Sequence, residues 1–262
     1  MKKKRILFCI LLAVLGVGML CYPMASDFVS QRHSRYTIAE LQAQLIHADI
    51  AKQRRLAQEY NTAKNSKDYE HALNIADGMM GSIEIPKIRV KLPIYHGTGE
   101  EVLAKGLGHL PQSDLPVGGT GNHTVLTGHT GLPNAKLLTD LTKLEEGDVF
   151  CLFVLGERLV YEIDQIVVVA PEESEALAPV PGEDYCTLVT CTPYGINSHR
   201  LLVRGHRTEL PADAVQNLFW MKIRQQVIDC LNQLLLLAVT LPAIIAALLL
   251  TAMKIRLTQN AL

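Results

Sequence analysis

The chain has 262 residues, a formal net charge of −1 and 48% hydrophobic residues. This near-neutral charge gives no argument for nucleic-acid binding, which depends on basic patches. Once the two long uncharged segments near its ends are set aside, the remaining length suits one domain with a core of ordinary size.

The first uncharged segment follows a basic start. Residues 2–5 are Lys-Lys-Lys-Arg, and no charged residue occurs from Ile6 to Ser26. Crossing a bilayer takes about 20 apolar residues, so we predict a cytoplasmic stub and an N-terminal anchor over residues 1–27. A cleaved signal peptide is the alternative, although the apolar stretch is longer than such signals usually have.

The second uncharged segment runs from Cys230 to Met253 and is followed by Lys254 and Arg256. We predict a linker over 211–229, a transmembrane helix over 230–253 and a cytoplasmic tail over 254–262. Basic residues at the outer ends of both spans place both termini in the cytoplasm and the intervening chain outside the cell membrane. Two buried core helices are the alternative, which the length and the lack of polar faces disfavour.

The segment from 28 to 80 is polar and helical in pattern. Thr37 and Glu40 form a capping-box pattern, and Ile38, Leu41 and Leu45 recur at helical spacing. We therefore predict an extracellular helical juxtamembrane segment here.

From residue 81 the pattern changes to that of strands. Hydrophobic residues occur at every second position at Ile83 and Ile85. This alternation shifts by one residue at Pro86, which indicates a bulge or a bend. A short amphipathic helix is predicted within 134–144. Further strands are predicted over 124–127, 149–155 and 158–169. Many short strands with one or two helices predict a mostly-β barrel or sandwich over residues 81–210.

The last pair of strands frames the candidate chemistry. A strand pattern ends at Cys191, Pro193 and Gly195 require a turn, and a second strand begins near Arg200. A loop between paired strands brings Cys191 and Arg200 into one neighbourhood. His129, between Gly128 and Gly131, has a similar strand-to-loop setting. Together these residues supply a nucleophile, an acid/base and a cation for a developing oxyanion.

Each candidate also has an ordinary structural explanation. A lone cysteine at a strand end is usually structural, and a histidine in a loop is usually a surface residue. His199 is predicted to point away from the site, because it adjoins Arg200 on a strand. The chain has six cysteines but no Cys-x-x-Cys pair and no zinc-type spacing. The sequence therefore predicts neither a metal nor a cofactor.

Four stretches resemble one family over residues 80–207. They are TLVTCTPYGINSHRLLVRG, TVLTGHTGLP, GSIEIPKIRVKLPIYHGT and GLGHLPQSDLPVGG. They resemble the sortases, membrane-anchored cysteine transpeptidases of Gram-positive surfaces, and most closely class C, whose members polymerise pilins. The resemblance implies an eight-stranded sortase barrel with short helices. It also implies that Cys191 is the nucleophile, His129 the acid/base and Arg200 the stabilising arginine.

The implied reaction cleaves an LPXTG-like sorting signal between Thr and Gly. A thioacyl-enzyme forms on Cys191, and the acyl group passes to a lysine of the next pilin. The expected partners are pilin subunits and the membrane. A lipid-linked cell-wall precursor replaces the lysine if the enzyme instead anchors proteins to peptidoglycan, an alternative that two spans disfavour. A hydrolytic cysteine peptidase and a membrane-tethered binding domain without activity remain as weaker alternatives.

Two features depart from the class C pattern. Thr130 stands where a basic residue often follows the catalytic histidine, and no proline occurs between Gln31 and Ile85. The Asp-Pro-aromatic motif of the family's lid is therefore absent, although Asp68 and Tyr69 adjoin in the lid region. We predict an open or weakly covered Cys191, with residues 61–80 flexible or helical and away from the thiol.

Overall fold

The computed structural model describes residues 2–64, 69–131 and 135–209, together with residues 224, 227 and 228. The chain divides into two compact units, residues 1–209 and 210–262. The architecture given below is that of the first unit. The predicted transmembrane helix over 230–253 and the tail over 254–262 lie outside the described residues, as does nearly all of the predicted linker over 211–229.

Two helices precede the barrel. Helix α1 spans Lys2–Leu45 and continues through Pro23, and α2 spans Ile50–Ala63. In the part of the chain that the structure describes, no helix meets the length and apolarity needed to cross a membrane. The structure therefore does not confirm the two predicted spans, which stay predictions.

The predicted helical face of the juxtamembrane segment is present on α1. Ile38 and Leu41 are almost fully buried, and α1 packs against the first two strands of the barrel. Helix α2 begins where the Asp49 carboxylate accepts the backbone N–H of Lys52, a side-chain cap of the kind that helix starts favour.

Helix α2 is also tied to the barrel by polar contacts. The side chain of Asn61 donates to the carbonyl of Leu115 at 3.1 Å and accepts its N–H at 2.7 Å. Lys64, at the end of the helix, pairs with the buried carboxylate of Asp114. These bonds fix the N-terminal helices to the domain instead of leaving them as a free stalk.

Eight strands form a closed barrel. In chain order they are β1 Met79–Ile85, β2 Val90–His96, β3 Leu107–His109, β4 Asn122–Thr127, β5 Val149–Val154, β6 Glu157–Val169, β7 Asp184–Thr192 and β8 His199–Thr208. Around the barrel the order is β1-β2-β3-β4-β7-β8-β6-β5. The pairs β2–β3 and β4–β7 are parallel, and the others are antiparallel.

Short helices complete the domain. Helix α3 spans Glu100–Leu103, and 3-10 helices span Pro86–Ile88, Thr139–Lys143 and Glu175–Leu177. The mostly-β barrel with short helices predicted from the sequence is thus confirmed.

The barrel interior is filled by large side chains. Phe150 and Tyr161 are both fully buried and stack with ring centroids 5.5 Å apart. Gly205 on β8 is required beneath them, because a Cβ at that position would lie 2.8 Å from the Phe150 ring. Strand β8 therefore approaches the stacked rings too closely to carry a side chain at this position.

The capping box predicted at Thr37 is not present. Thr37 lies inside α1, and its hydroxyl donates to the carbonyl of His33 one turn earlier.

Two further local predictions need correction. The shift in alternation at Pro86 is neither a bulge nor a bend within one strand, because Ile85 pairs with Val90 across a tight turn and the chain reverses there. The turn closes with Arg89 at a φ of 57°. The amphipathic helix predicted within 134–144 is a single 3-10 helix over Thr139–Lys143.

Candidate active site

Cys191 and Arg200 lie opposite each other on neighbouring strands. In the antiparallel pair β7–β8, Cys191 is in register with Arg200, and Thr192 with His199. Directly opposed residues have their side chains on one face of the sheet, with Cβ atoms about 5 Å apart. The strand–loop–strand arrangement expected from the sequence therefore places Cys191 and Arg200 side by side.

His129 reaches the same end of the barrel from β4. Strand β4 runs parallel to β7 and pairs with it as far as Thr127 and Val189. Beyond that pair, the Gly128 N–H donates to Val189 O at 3.1 Å, and the buried Thr190 hydroxyl donates to Gly128 O at 2.8 Å. These bonds join Gly128, the residue before His129, to Val189 and Thr190, the two residues before Cys191, so the two candidates follow adjoining strand segments.

The loop that follows His129 is held on its far side as well. The Leu138 N–H donates to His129 O at 3.1 Å, and the Gly131 N–H donates to the Thr139 hydroxyl at 3.0 Å. Gly131 has a φ of +76°, and a Cβ there would come within 2.9 Å of the Tyr194 ring. The exposed Tyr194, from the loop after Cys191, therefore lies directly on the backbone of the histidine loop.

The cysteines of the barrel differ in accessibility. Cys151 and Cys186 are buried, and burial raises the pKa of both thiols. They are thus kept protonated, and a protonated thiol is a poor nucleophile. Cys191 is partly exposed and carries no disulfide. Of these three cysteines, Cys191 is the one whose side chain is not buried.

Two of the three arginines of β8 were candidates for the site, and their surroundings differ. Arg200 is partly exposed, and its Nη1 donates to the carbonyls of Asn197 and His199 at 3.2 and 3.0 Å, within its own loop. Arg204 donates from Nε and Nη2 to the carboxylate of Asp164 at 3.1 and 2.8 Å. Arg204 also lies over the Tyr185 ring. Arg204 is thus held by a carboxylate and an aromatic ring, whereas Arg200 lies opposite Cys191 across the strand pair.

One residue next to His129 was not anticipated from the sequence. The Nε2 of His129 lies 2.9 Å from the carboxylate of Glu100, the first residue of α3. The two residues are 29 positions apart, and α3 has only four residues. No periodicity in the sequence therefore points to Glu100. The histidine within β4, His123, is buried and bonded to the Thr187 hydroxyl.

The lid region contains a buried tyrosine. Tyr69 is 8% exposed and packs its ring against those of Tyr60, His96 and His109. Its hydroxyl accepts the Gly97 N–H at 2.8 Å. This part of the predicted flexible or helical segment 61–80 is therefore anchored in the domain. Asp68 lies outside the described residues, and the open Cys191 stays a prediction.

Metal-ligating residues do not cluster at this site. Across residues 2–64, 69–131 and 135–209, no group of three or more His, Cys, Asp or Glu side chains could hold a metal ion.

Known proteins share this fold. The Sortase domain family matches residues 83–208. Sortase C1 of Streptococcus agalactiae is 44% identical, covering 67% of this chain and all of its own, with a TM-score of 0.65. Sortase C of Streptococcus pneumoniae, a structure described in terms of catalysis and pilin substrate specificity, is 43% identical, covering 68% of this chain and 98% of its own, with a TM-score of 0.62.

A more distant relative is sortase A of Streptococcus agalactiae, 26% identical over 72% of this chain and 78% of its own. The match to sortase C1 extends over the whole of that solved chain. With a TM-score of 0.65, its fold matches the barrel described above. The chain belongs to the sortase family of cysteine transpeptidases, and its structural neighbours are class C sortases.

Proposed function

We propose that this protein is a pilin-polymerising class C sortase. It cleaves an LPXTG-like sorting signal between Thr and Gly and joins the threonine to a lysine of the next pilin. The observation that carries the proposal is the pairing of Cys191 with Arg200 beside the His129 loop. The 43% identity to a sortase C described with pilin substrate specificity supports the choice of acceptor.

The first step forms the thioacyl-enzyme. The Cys191 thiolate attacks the threonine carbonyl, and the developing oxyanion is stabilised by the permanent charge of Arg200. To do so, Arg200 turns from the loop carbonyls of Asn197 and His199 toward the substrate oxygen. The Thr–Gly bond then breaks, and the leaving glycine nitrogen takes a proton from the His129 imidazolium. A charged imidazolium also favours the neighbouring thiolate.

The second step transfers the acyl group. A pilin lysine enters as the neutral amine and attacks the thioester carbonyl, and neutral His129 accepts the proton that the new amide nitrogen loses. Collapse of the intermediate expels the Cys191 thiolate, which restores the starting ion pair. The product is an isopeptide bond between threonine and lysine, and no water is consumed. If water replaces lysine, the same site hydrolyses the signal, and if a lipid-linked precursor replaces it, the site anchors proteins.

The proposed setting is the outer face of the cell membrane. Basic residues at the outer ends of two uncharged segments support cytoplasmic termini and an extracellular barrel. A reporter that is active only outside the cell should be active when fused after Thr208 and silent when fused after Leu262. The opposite pattern would refute this topology.

The direct test uses the full-length protein with a pilin that carries an LPXTG-like signal and an acceptor lysine. We expect a ladder of covalent multimers with threonine–lysine isopeptide bonds, identified by mass spectrometry. A pilin with the acceptor lysine changed to arginine is the matched control and should give no ladder. Cleavage without multimers would indicate hydrolysis, and attachment only to cell-wall precursor would indicate anchoring; either result contradicts pilin polymerisation.

A further inference from the structure

An acidic side chain contacts the candidate acid/base directly. The Glu100 carboxylate lies 2.9 Å from Nε2 of His129. An ionised carboxylate can only accept hydrogen bonds, so Nε2 must carry the proton that lies between them. The free ring nitrogen, Nδ1, is then left as the one that can exchange protons with Cys191 and the reacting amines.

The position of Glu100 is built into the fold. Segment 97–103 lies on Gly108 of β3 so closely that a Cβ there would be 2.3 Å from Gly97 O and 3.1 Å from the Leu103 side chain. Gly108 in turn pairs with Thr127, two residues before His129. One strand pair therefore supports both partners of the contact.

A second contact holds the same segment from the other side. The hydroxyl of the buried Tyr69 accepts the Gly97 N–H at 2.8 Å, and the same hydroxyl lies 3.1 Å from Nδ1 of His109 on β3. Gly97 is thus fixed three residues before Glu100. A residue fixed in this way loses less conformational freedom on pairing than a side chain on a mobile loop does.

We propose that Glu100 is a positioning residue for His129, an inference that rests on the proposed function. By accepting the Nε2 proton, Glu100 selects the ring tautomer with Nδ1 free and orients the ring. Protonated His129 next to Cys191 is the partner that the attacking thiolate requires. Glu100 takes no part in bond making, because it acts only through the imidazole.

The opposing explanation is an incidental surface ion pair. The Glu100 side chain is 83% exposed, against 25% for His129, and exposed pairs are weak. The expected effect is therefore modest, roughly a two- to fivefold loss of turnover on removal of the carboxylate. A simple loss of charge near the site would not change the histidine tautomer, which makes the tautomer the decisive readout.

The test compares three variants of the full-length protein. Glu100→Ala removes the acceptor, Glu100→Gln keeps an acceptor oxygen without its charge, and Glu101→Ala alters the exposed neighbour on the same turn. Nitrogen-15 NMR of histidine-labelled protein reports the His129 tautomer. The His129 signals are identified as those that disappear in a further variant, His129→Gln. Initial rates with an LPXTG-like peptide and an amine acceptor give kcat and KM.

For Glu100→Ala we expect mixed tautomers at His129, a lower kcat and an unchanged KM. Glu100→Gln should retain the tautomer but have a lower kcat. Glu101→Ala should match the unsubstituted protein in both the His129 tautomer and kcat. An unchanged His129 spectrum and kcat in Glu100→Ala would overturn the inference, as would an equal loss in Glu101→Ala. If the unsubstituted protein transfers no acyl group to amines, the proposed function fails, while the NMR result still decides whether Glu100 sets the tautomer.

Discussion

The hydrogen bond from Thr190 to Gly128 joins the two chain segments that carry the candidate nucleophile and acid/base. The Thr190 hydroxyl is buried and donates to Gly128 O at 2.8 Å. Thr190→Val keeps the shape of the side chain but removes the donor. We expect this change to move the His129 loop relative to Cys191 as well as to weaken the fold.

The expected cost follows from burial. Leaving the Gly128 carbonyl without this donor should lower the free energy of unfolding by about 1–3 kcal/mol. For a domain of this size, each kcal/mol lowers Tm by roughly 2–4 °C. A misplacement of about 1 Å at the site can cost 10²-fold in rate, so we expect acyl transfer to fall by roughly 10- to 100-fold.

The matched control lies on the same strand. Thr187 is equally buried, and its hydroxyl bonds to Nε2 of His123 at 2.7 Å, away from the His129 loop. Thr187→Val should therefore cost a similar amount of stability without slowing the reaction. Both variants are measured by thermal unfolding and by peptide transfer at a temperature where both are folded. If Thr190→Val is as active as Thr187→Val, the reasoning about this bond is wrong.

Three further outcomes are expected. Cys151→Ala and Cys186→Ala should lower Tm but leave transfer intact, because both thiols are buried; loss of transfer in the folded variants would contradict this. Arg204→Met, which removes the pair with Asp164, should also affect stability alone, as thermal unfolding with a transfer assay would show. Burial lowers the pKa of His109 to about 3, whereas its pKa in the unfolded chain is about 6.5. Between these two values the unfolded chain binds a proton that the folded protein does not. The free energy of unfolding therefore falls by about 1.4 kcal/mol for each pH unit below about 6.5. Urea unfolding should therefore show the stability difference between the unsubstituted protein and His109→Gln shrinking from pH 6 to pH 4, and a constant difference would contradict the assignment.

The sequence predicts the part of the site that is local along the chain. Two paired strands are indicated by the hydrophobic alternation that ends at Cys191 and begins again after Arg200. The turn between them is indicated by Pro193 and Gly195. Because antiparallel neighbours in sequence pair with a register set by their loop, Cys191 and Arg200 are expected together, and the structure pairs them. Strand periodicity likewise predicts the mostly-β fold.

The non-local part of the site could not be predicted from pattern. The parallel pairing of β4 with β7 brings His129 to Cys191 across 62 residues, through the Thr190–Gly128 bond, and hydrophobic alternation carries no information on which strands pair. Glu100 depends on the packing of α3 over Gly108, which no local pattern indicates. At Pro86, the hydrophobic alternation shifts by one residue. This shift occurs both when a strand bulges and when the chain reverses, so the sequence does not distinguish the two.

The central claim is that Cys191 carries the acyl group. Full-length protein incubated with an LPXTG-like peptide and no amine should gain the mass of the acyl fragment ending in threonine. Peptide mapping should place this mass on Cys191, and an added lysine amine should release it. In Cys191→Ala the adduct should be absent, while Cys186→Ala should retain it. An adduct on another residue, or undiminished cleavage and transfer by Cys191→Ala, would contradict the account.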